Sequence, residues 1–155
     1  MSMIDNTQSV IDPEAFTVRR TITINAPVEK VWAAITEPEH LVKWFPEKAD
    51  LGSAGVGSTG SFTWADHGTF PVSIEQIDPL RSITYRWSNV SEEPLDPAHS
   101  TVFTFTLEPS DGATSLTVLE TGFDTLPDPT TALESNRGGW NSELDELVAY
   151  LESTA

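Results

Sequence analysis

The chain has no cysteine. That removes disulfide frameworks, Cys-type zinc sites and thiolate nucleophiles, leaving hydroxyls and carboxylates as nucleophile options. Basic residues are scarce too: eight Lys and Arg stand against 24 Asp and Glu, for a formal net charge of −16. Such a surface repels phosphate backbones and anionic lipid, which argues against nucleic-acid or membrane partners. The acids are scattered rather than blocked, the pattern of a solvated, self-repelling surface. No 18 apolar residues run together, and the opening Met1-Ser2-Met3-Ile4-Asp5-Asn6 has neither a basic nor an apolar signal region. The expectation is a soluble, cytoplasmic protein. Its 155 residues fit one domain, and a single core at that length buries roughly 68–70% of the unfolded chain's surface.

Catalytic and cofactor motifs are equally sparse. No G-x-S-x-G nucleophile elbow occurs. Gly55-Val56-Gly57-Ser58-Thr59-Gly60 matches the G-x-G-x-x-G string, but the residues after it read as a strand where a dinucleotide site needs a helix N-terminus. His40, His67 and His99 stand in three different elements without ligand spacing. No cofactor and no metal site is predicted.

What is present is a clear element order. Residues 1–13 are polar and aperiodic and read as a flexible tail, with one domain over 14–155. Phe16, Val18, Ile22 and Ile24 alternate as a half-buried strand, and Asn25-Ala26-Pro27 breaks it into a helix striped by Val28, Val31, Trp32 and Ile35. Pro38 ends that helix and opens a second short one carrying Leu41, Trp44 and Phe45, stopped by Pro46. Strands follow at 61–65 and 69–77 around Asp66-His67-Gly68, then through Ile83, Tyr85 and Trp87, and, past a Pro-rich loop over 88–99, at 101–107 and 114–120. The last element is a long helix over 133–152, striped by Trp140, Leu144, Leu147, Val148 and Leu151. Gly138 and Gly139 near its start cost about 1 kcal/mol each relative to Ala. Either the helix backbone closely approaches the sheet or a bound molecule there, or the helix begins only after them. Segregated helices beside an antiparallel sheet make the class α+β. A sheet of six or seven twisted strands around one helix curls and leaves a pocket.

Val18 to Pro27, Val31 to Leu41 with Trp44-Phe45, and near the end Thr121-Gly122-Phe123 and Gly139-Trp140 with Leu144, Leu147 and Tyr150-Leu151, resemble homologues of the heat-shock-protein-90 ATPase activator. These form a branch of the START-like, or SRPBCC, superfamily. The resemblance covers roughly residues 16–152. It implies a helix-grip (START-like, Bet-v-type) fold, with a curved antiparallel sheet wrapped around the C-terminal helix and a cavity near the second short helix. It also implies binding of a small, largely apolar molecule, as superfamily members bind lipids, sterols, polyketides or hormones. A polyketide cyclase/hydrolase type of enzyme in the same cavity is the first alternative. A co-chaperone-like stress role is the second, although the co-chaperone carries a further N-terminal domain without counterpart in these residues.

Candidate site residues follow from both readings. Trp44, Phe45, Trp64, Trp87 and Trp140 are expected to line the pocket, gated by the Trp44-Phe45 helix and the 88–99 loop. Arg20 falls in phase with Val18 and Ile22, and Glu120 with Leu116 and Val118, so both charges point inward and need partners. They either line the pocket as a polar anchor or acid/base pair, or lie at wet strand ends or pair with each other. The chain is expected to be a monomer or a homodimer; chaperone contact is a weaker expectation.

Overall fold

The computed structural model describes residues 7–153. Strands β1 (Val10–Asp12), β2 (Thr17–Ile24), β3 (Lys48–Asp50), β4 (Thr59–Trp64), β5 (Gly68–Asp78), β6 (Ser82–Trp87), β7 (Thr101–Ser110) and β8 (Ala113–Thr121) join helices α1 (Val28–Thr36), α2 (Pro38–Leu41) and α3 (Pro129–Ser153). All eight strands lie in one antiparallel sheet, ordered β1-β2-β8-β7-β6-β5-β4-β3. The sheet curves around α3 on its apolar side, a helix-grip arrangement of α+β class.

Period-two alternation sets the inner face. On β8 the buried residues are Thr114, Leu116, Val118 and Glu120; on β2 they are Val18, Arg20, Ile22 and Ile24. α3 answers with Leu133, Trp140, Leu144, Leu147 and Leu151, a stripe at helical spacing. α1 closes the opposite end of the core through Val31, Ala34 and Ile35. Tyr85, buried on β6, donates its hydroxyl proton to the Ile35 carbonyl at 2.7 Å and so fixes that helix end against the sheet.

Four local expectations are corrected. Residues 10–12 are not tail: β1 pairs with β2, the Ser9 N–H donates to Asn141 Oδ1 at 2.7 Å, and the Thr7 carbonyl accepts from Arg20 Nε. Residues 1–6 of that expected tail lie outside the described residues. β3 is a strand too short to show a period, and with β1 it brings the sheet of the described residues to eight strands where six or seven were expected. α2 stops at Leu41, and Trp44 and Phe45 follow in a turn whose N–H groups still bond to the Leu41 carbonyl. Finally, α3 begins at Pro129, so Gly138 and Gly139 sit well inside it.

Gly60 shows what the G-x-G-x-x-G string does structurally. A Cβ there would stand 1.8 Å from the Asp50 carbonyl oxygen, so β3 and β4 can pair only if this residue is glycine. The string is a turn running into a strand.

Candidate ligand-binding cleft

Between α3 and the ends of β4, β5 and β6 lies a cleft of about 700 Å³. Its apolar wall is made by Phe45, Trp64, Phe70, Trp87 and Trp140; its polar rim comes from His67, the 88–91 segment, and Ser135, Asn136, Ser142 and Glu143 on α3. Trp64 meets its neighbours at steep angles. Phe45 and Trp64 are 5.3 Å apart at 80°, Trp64 and Phe70 5.7 Å apart at 78°, and Trp64 and Trp87 6.1 Å apart at 62°. Edge-to-face contacts of this kind fix ring planes, so the wall is pre-shaped.

Strand register explains the floor beneath it. Trp87 stands opposite Thr101, and Phe103 opposite Glu120, which brings the ends of three strands to one point. Asn136 and Trp140, one helical turn apart on α3, reach down to the same point. Glu120 is fully buried there and accepts from four donors. Trp87 Nε1 donates to Oε2 at 2.9 Å, Trp140 Nε1 to Oε1 at 2.9 Å, Asn136 Nδ2 to both oxygens at 3.0 Å, and the Thr101 hydroxyl to Oε2. Asn89 completes the set, donating to Thr101 Oγ1 at 2.7 Å and accepting from Asn136 at 2.9 Å. Burial pushes the Glu120 pKa up, and the four donors oppose that push. An indole N–H can only donate, so this network matches an ionised carboxylate.

Arg20 has a different set of partners. Buried on β2, it donates from Nη1 to the Asn141 carbonyl at 2.9 Å and the Trp140 carbonyl at 3.3 Å, and from Nη2 to Asp145 at 2.7 Å. It clamps α3 to the sheet and does not bond to Glu120.

Of the seven residues expected in the lining, Phe45, Trp64, Trp87 and Trp140 are in the cleft wall. Trp44, Arg20 and Glu120 are not. Trp44 turns into the core, where its Nε1 donates to the Ala34 carbonyl at 2.8 Å. Arg20 is held against the backbone of α3, and Glu120 lies behind the indoles it anchors. Neither charge sits at a wet strand end, and they do not form a pair.

Six lining residues escaped the sequence reading: His67, Phe70, Ser135, Asn136, Ser142 and Glu143. Phe70 carried a signal, since it alternates with Val72 on β5, but a strand aromatic reads as core. Glu143 lies in an acidic run that looks like a solvated helix face. In the structure it is half-buried at the cleft, where desolvation and then the neighbouring Glu146 raise its pKa to about 8. His40 bonds to Tyr150 Oη at 2.8 Å and His99 to Asp96 at 2.9 Å, and neither lines the cleft. Among the described residues no three His, Asp or Glu side chains cluster to hold a metal ion.

A curved antiparallel sheet gripping a C-terminal helix over an aromatic cleft defines a START-like domain. Within that class, the model for "Activator of Hsp90 ATPase homolog 1-like protein" matches residues 25–152, and the chain belongs to this family. Among solved structures it is similar to protein MLL2253 from Mesorhizobium loti, with 28% identity and a TM-score of 0.77 over 90% of this chain and 98% of that one. It is also similar to the Aha1 dimer from Colwellia psychrerythraea, with 24% identity and a TM-score of 0.70 over 88% and 96% of the two chains. CalU16 from Micromonospora echinospora has 18% identity and a TM-score of 0.69 over 97% and 87%. These last two likenesses show the fold alone. Comparison with curated proteins finds no match. Among the described residues no helix is long and apolar enough to cross a membrane.

Proposed function

We propose that this protein binds a small, largely apolar molecule in the cleft, as a cytoplasmic carrier or sensor, with the 88–99 loop as the gate. The observation that carries this reading is the aromatic wall facing Gly138 and Gly139. The cleft volume of about 700 Å³ falls within the roughly 300–1,000 Å³ of small-molecule sites. A Cβ at either glycine would meet nothing within 4 Å, so neither is needed for protein packing. Two helix-weakening residues beside an open space fit close approach of a ligand to the helix backbone.

Native mass spectrometry of freshly purified protein, set against its denatured mass, tests this. A co-purifying adduct lost on Trp64→Ala or Trp87→Ala supports the reading. A bare mass, together with no response of tryptophan fluorescence across a panel of small apolar compounds, sinks it.

A second reading, an enzyme acting in the same cavity, is favoured by Glu143. Burial at the cleft rim and the neighbouring Glu146 raise its pKa to about 8, which leaves it protonated at neutral pH and suited to act as a general acid. Turnover of a bound compound that Glu143→Gln abolishes without weakening binding would establish it.

A further inference from the structure

The cleft wall contains five aromatic rings, the titratable side chains Glu143 and His67, and no Lys or Arg. Glu143 has no hydrogen-bond or ion-pair partner among the described residues, and the charge acting on it is the like charge of Glu146. Behind the wall, Glu120 holds the N–H groups of Trp87 and Trp140, again with no cation beside it. An indole N–H bonded to a carboxylate pushes electron density toward its ring face, and ring faces attract cations through their quadrupole. The wall thus offers a cation ring faces and a carboxyl group without a counter-ion, and a cation bound beside Glu143 would draw its raised pKa down and ionise it. An anionic head group would find no Lys or Arg in the wall and would hold Glu143 in its protonated form, and a neutral one would leave that carboxyl group without a counter-ion when it ionises.

We propose that the ligand carries a positively charged amine or quaternary ammonium group on its apolar body, seated against the Trp64 and Trp87 faces with Glu143 as its counter-charge. This rests on the reading of the cleft as a ligand site and narrows the ligand class. The net charge of −16 adds a diffuse attraction for any cation, so the test must separate local from global charge.

Three probes share a ring and differ in the charge of one tetrahedral substituent: 3-(trimethylammonio)phenol, 3-tert-butylphenol and 3-hydroxybenzenesulfonate. Binding is measured by calorimetry at high ionic strength, where surface attraction is screened. The cation binds on the order of tenfold more tightly than the neutral isostere, as expected for a desolvated cation over aromatic faces, and the anion does not bind. Glu143→Gln removes most of that preference while leaving the neutral probe's affinity unchanged. Glu108→Gln, an exposed acid on β7, changes neither. Equal or tighter binding of the neutral probe overturns this inference alone. So does a cation preference that both substitutions reduce alike, since it would then come from the surface as a whole. Failure of all three probes to bind overturns it together with the ligand-cleft reading.

Discussion

Trp87 and Trp140 hold opposite oxygens of the same buried carboxylate, each through an indole N–H at 2.9 Å, with their ring centroids 6.2 Å apart and 30° from parallel. One ring comes from β6 and the other from α3. The shared anchor sets the spacing of sheet and helix at the cleft, so the shape of the wall depends on a side chain that is not part of it.

Replacing that anchor tests its charge state. Glutamine has the shape of a protonated glutamic acid, and it turns an NH₂ group toward donors that cannot accept. Glu120→Gln is therefore expected to cost about 1–3 kcal/mol, the penalty of unpaired buried donors, and to alter tryptophan fluorescence. Urea denaturation at neutral pH measures it. An unchanged midpoint would mean that Glu120 is already protonated in the native protein.

Arg20 and Asp145 form an asymmetric pair. The Arg20 side chain is 1% exposed and Asp145 61%, so most of the stabilisation lies in the bonds from Arg20 to the α3 carbonyls. Arg20→Met should cost about 3 kcal/mol and loosen α3, whereas Asp145→Asn should cost less than about 1 kcal/mol. Equal losses in thermal denaturation would show instead that the ion pair dominates.

Gly138 and Gly139 allow stability and binding to be separated. Alanine fits at both positions without contact, so each substitution should stabilise α3 by about 1 kcal/mol, seen as a higher Tm. The added methyl groups enter the cleft, and affinity for the co-purifying ligand should fall. Unchanged affinity would place the ligand away from this turn of α3.

Glu143 makes stability depend on pH with a sign opposite to the usual carboxylate. Its native pKa of about 8 lies above the ordinary glutamate value of 4.5, so between these values the native state binds the extra proton. That contribution is fully present below about pH 4.5 and is lost as pH rises through 8. Glu146 on α3 acts on Glu143 through its like charge, and His67 on the β4–β5 turn lines the same cleft. Glu143→Gln should therefore match the wild-type Tm near pH 4.5 and exceed it increasingly up to pH 8–9. A constant difference across that range would locate the effect in packing.

The sequence by itself determined the core. Alternation on β2 and β8, the helical stripes of α1 and α3, and the breaks at Pro27, Pro38 and Pro46 are local signals, because period and backbone restriction act within a few residues. It also showed that Arg20 and Glu120 face inward. Their partners were decided only in the tertiary structure: Arg20 binds helix carbonyls that any sequence would supply, and Glu120 gathers Trp87, Thr101, Asn136 and Trp140 from three elements distant along the chain. The same holds for β1 and β3, which are too short to show a period and exist by pairing with β2 and β4. Trp44 and Phe45 make the point at the shortest range. Adjacent and stacked at 4.9 Å, they are alike in any pattern of residue types, yet Trp44 bonds to the core backbone while Phe45, on the other side of the stack, lines the cleft, a division that only the tertiary packing makes.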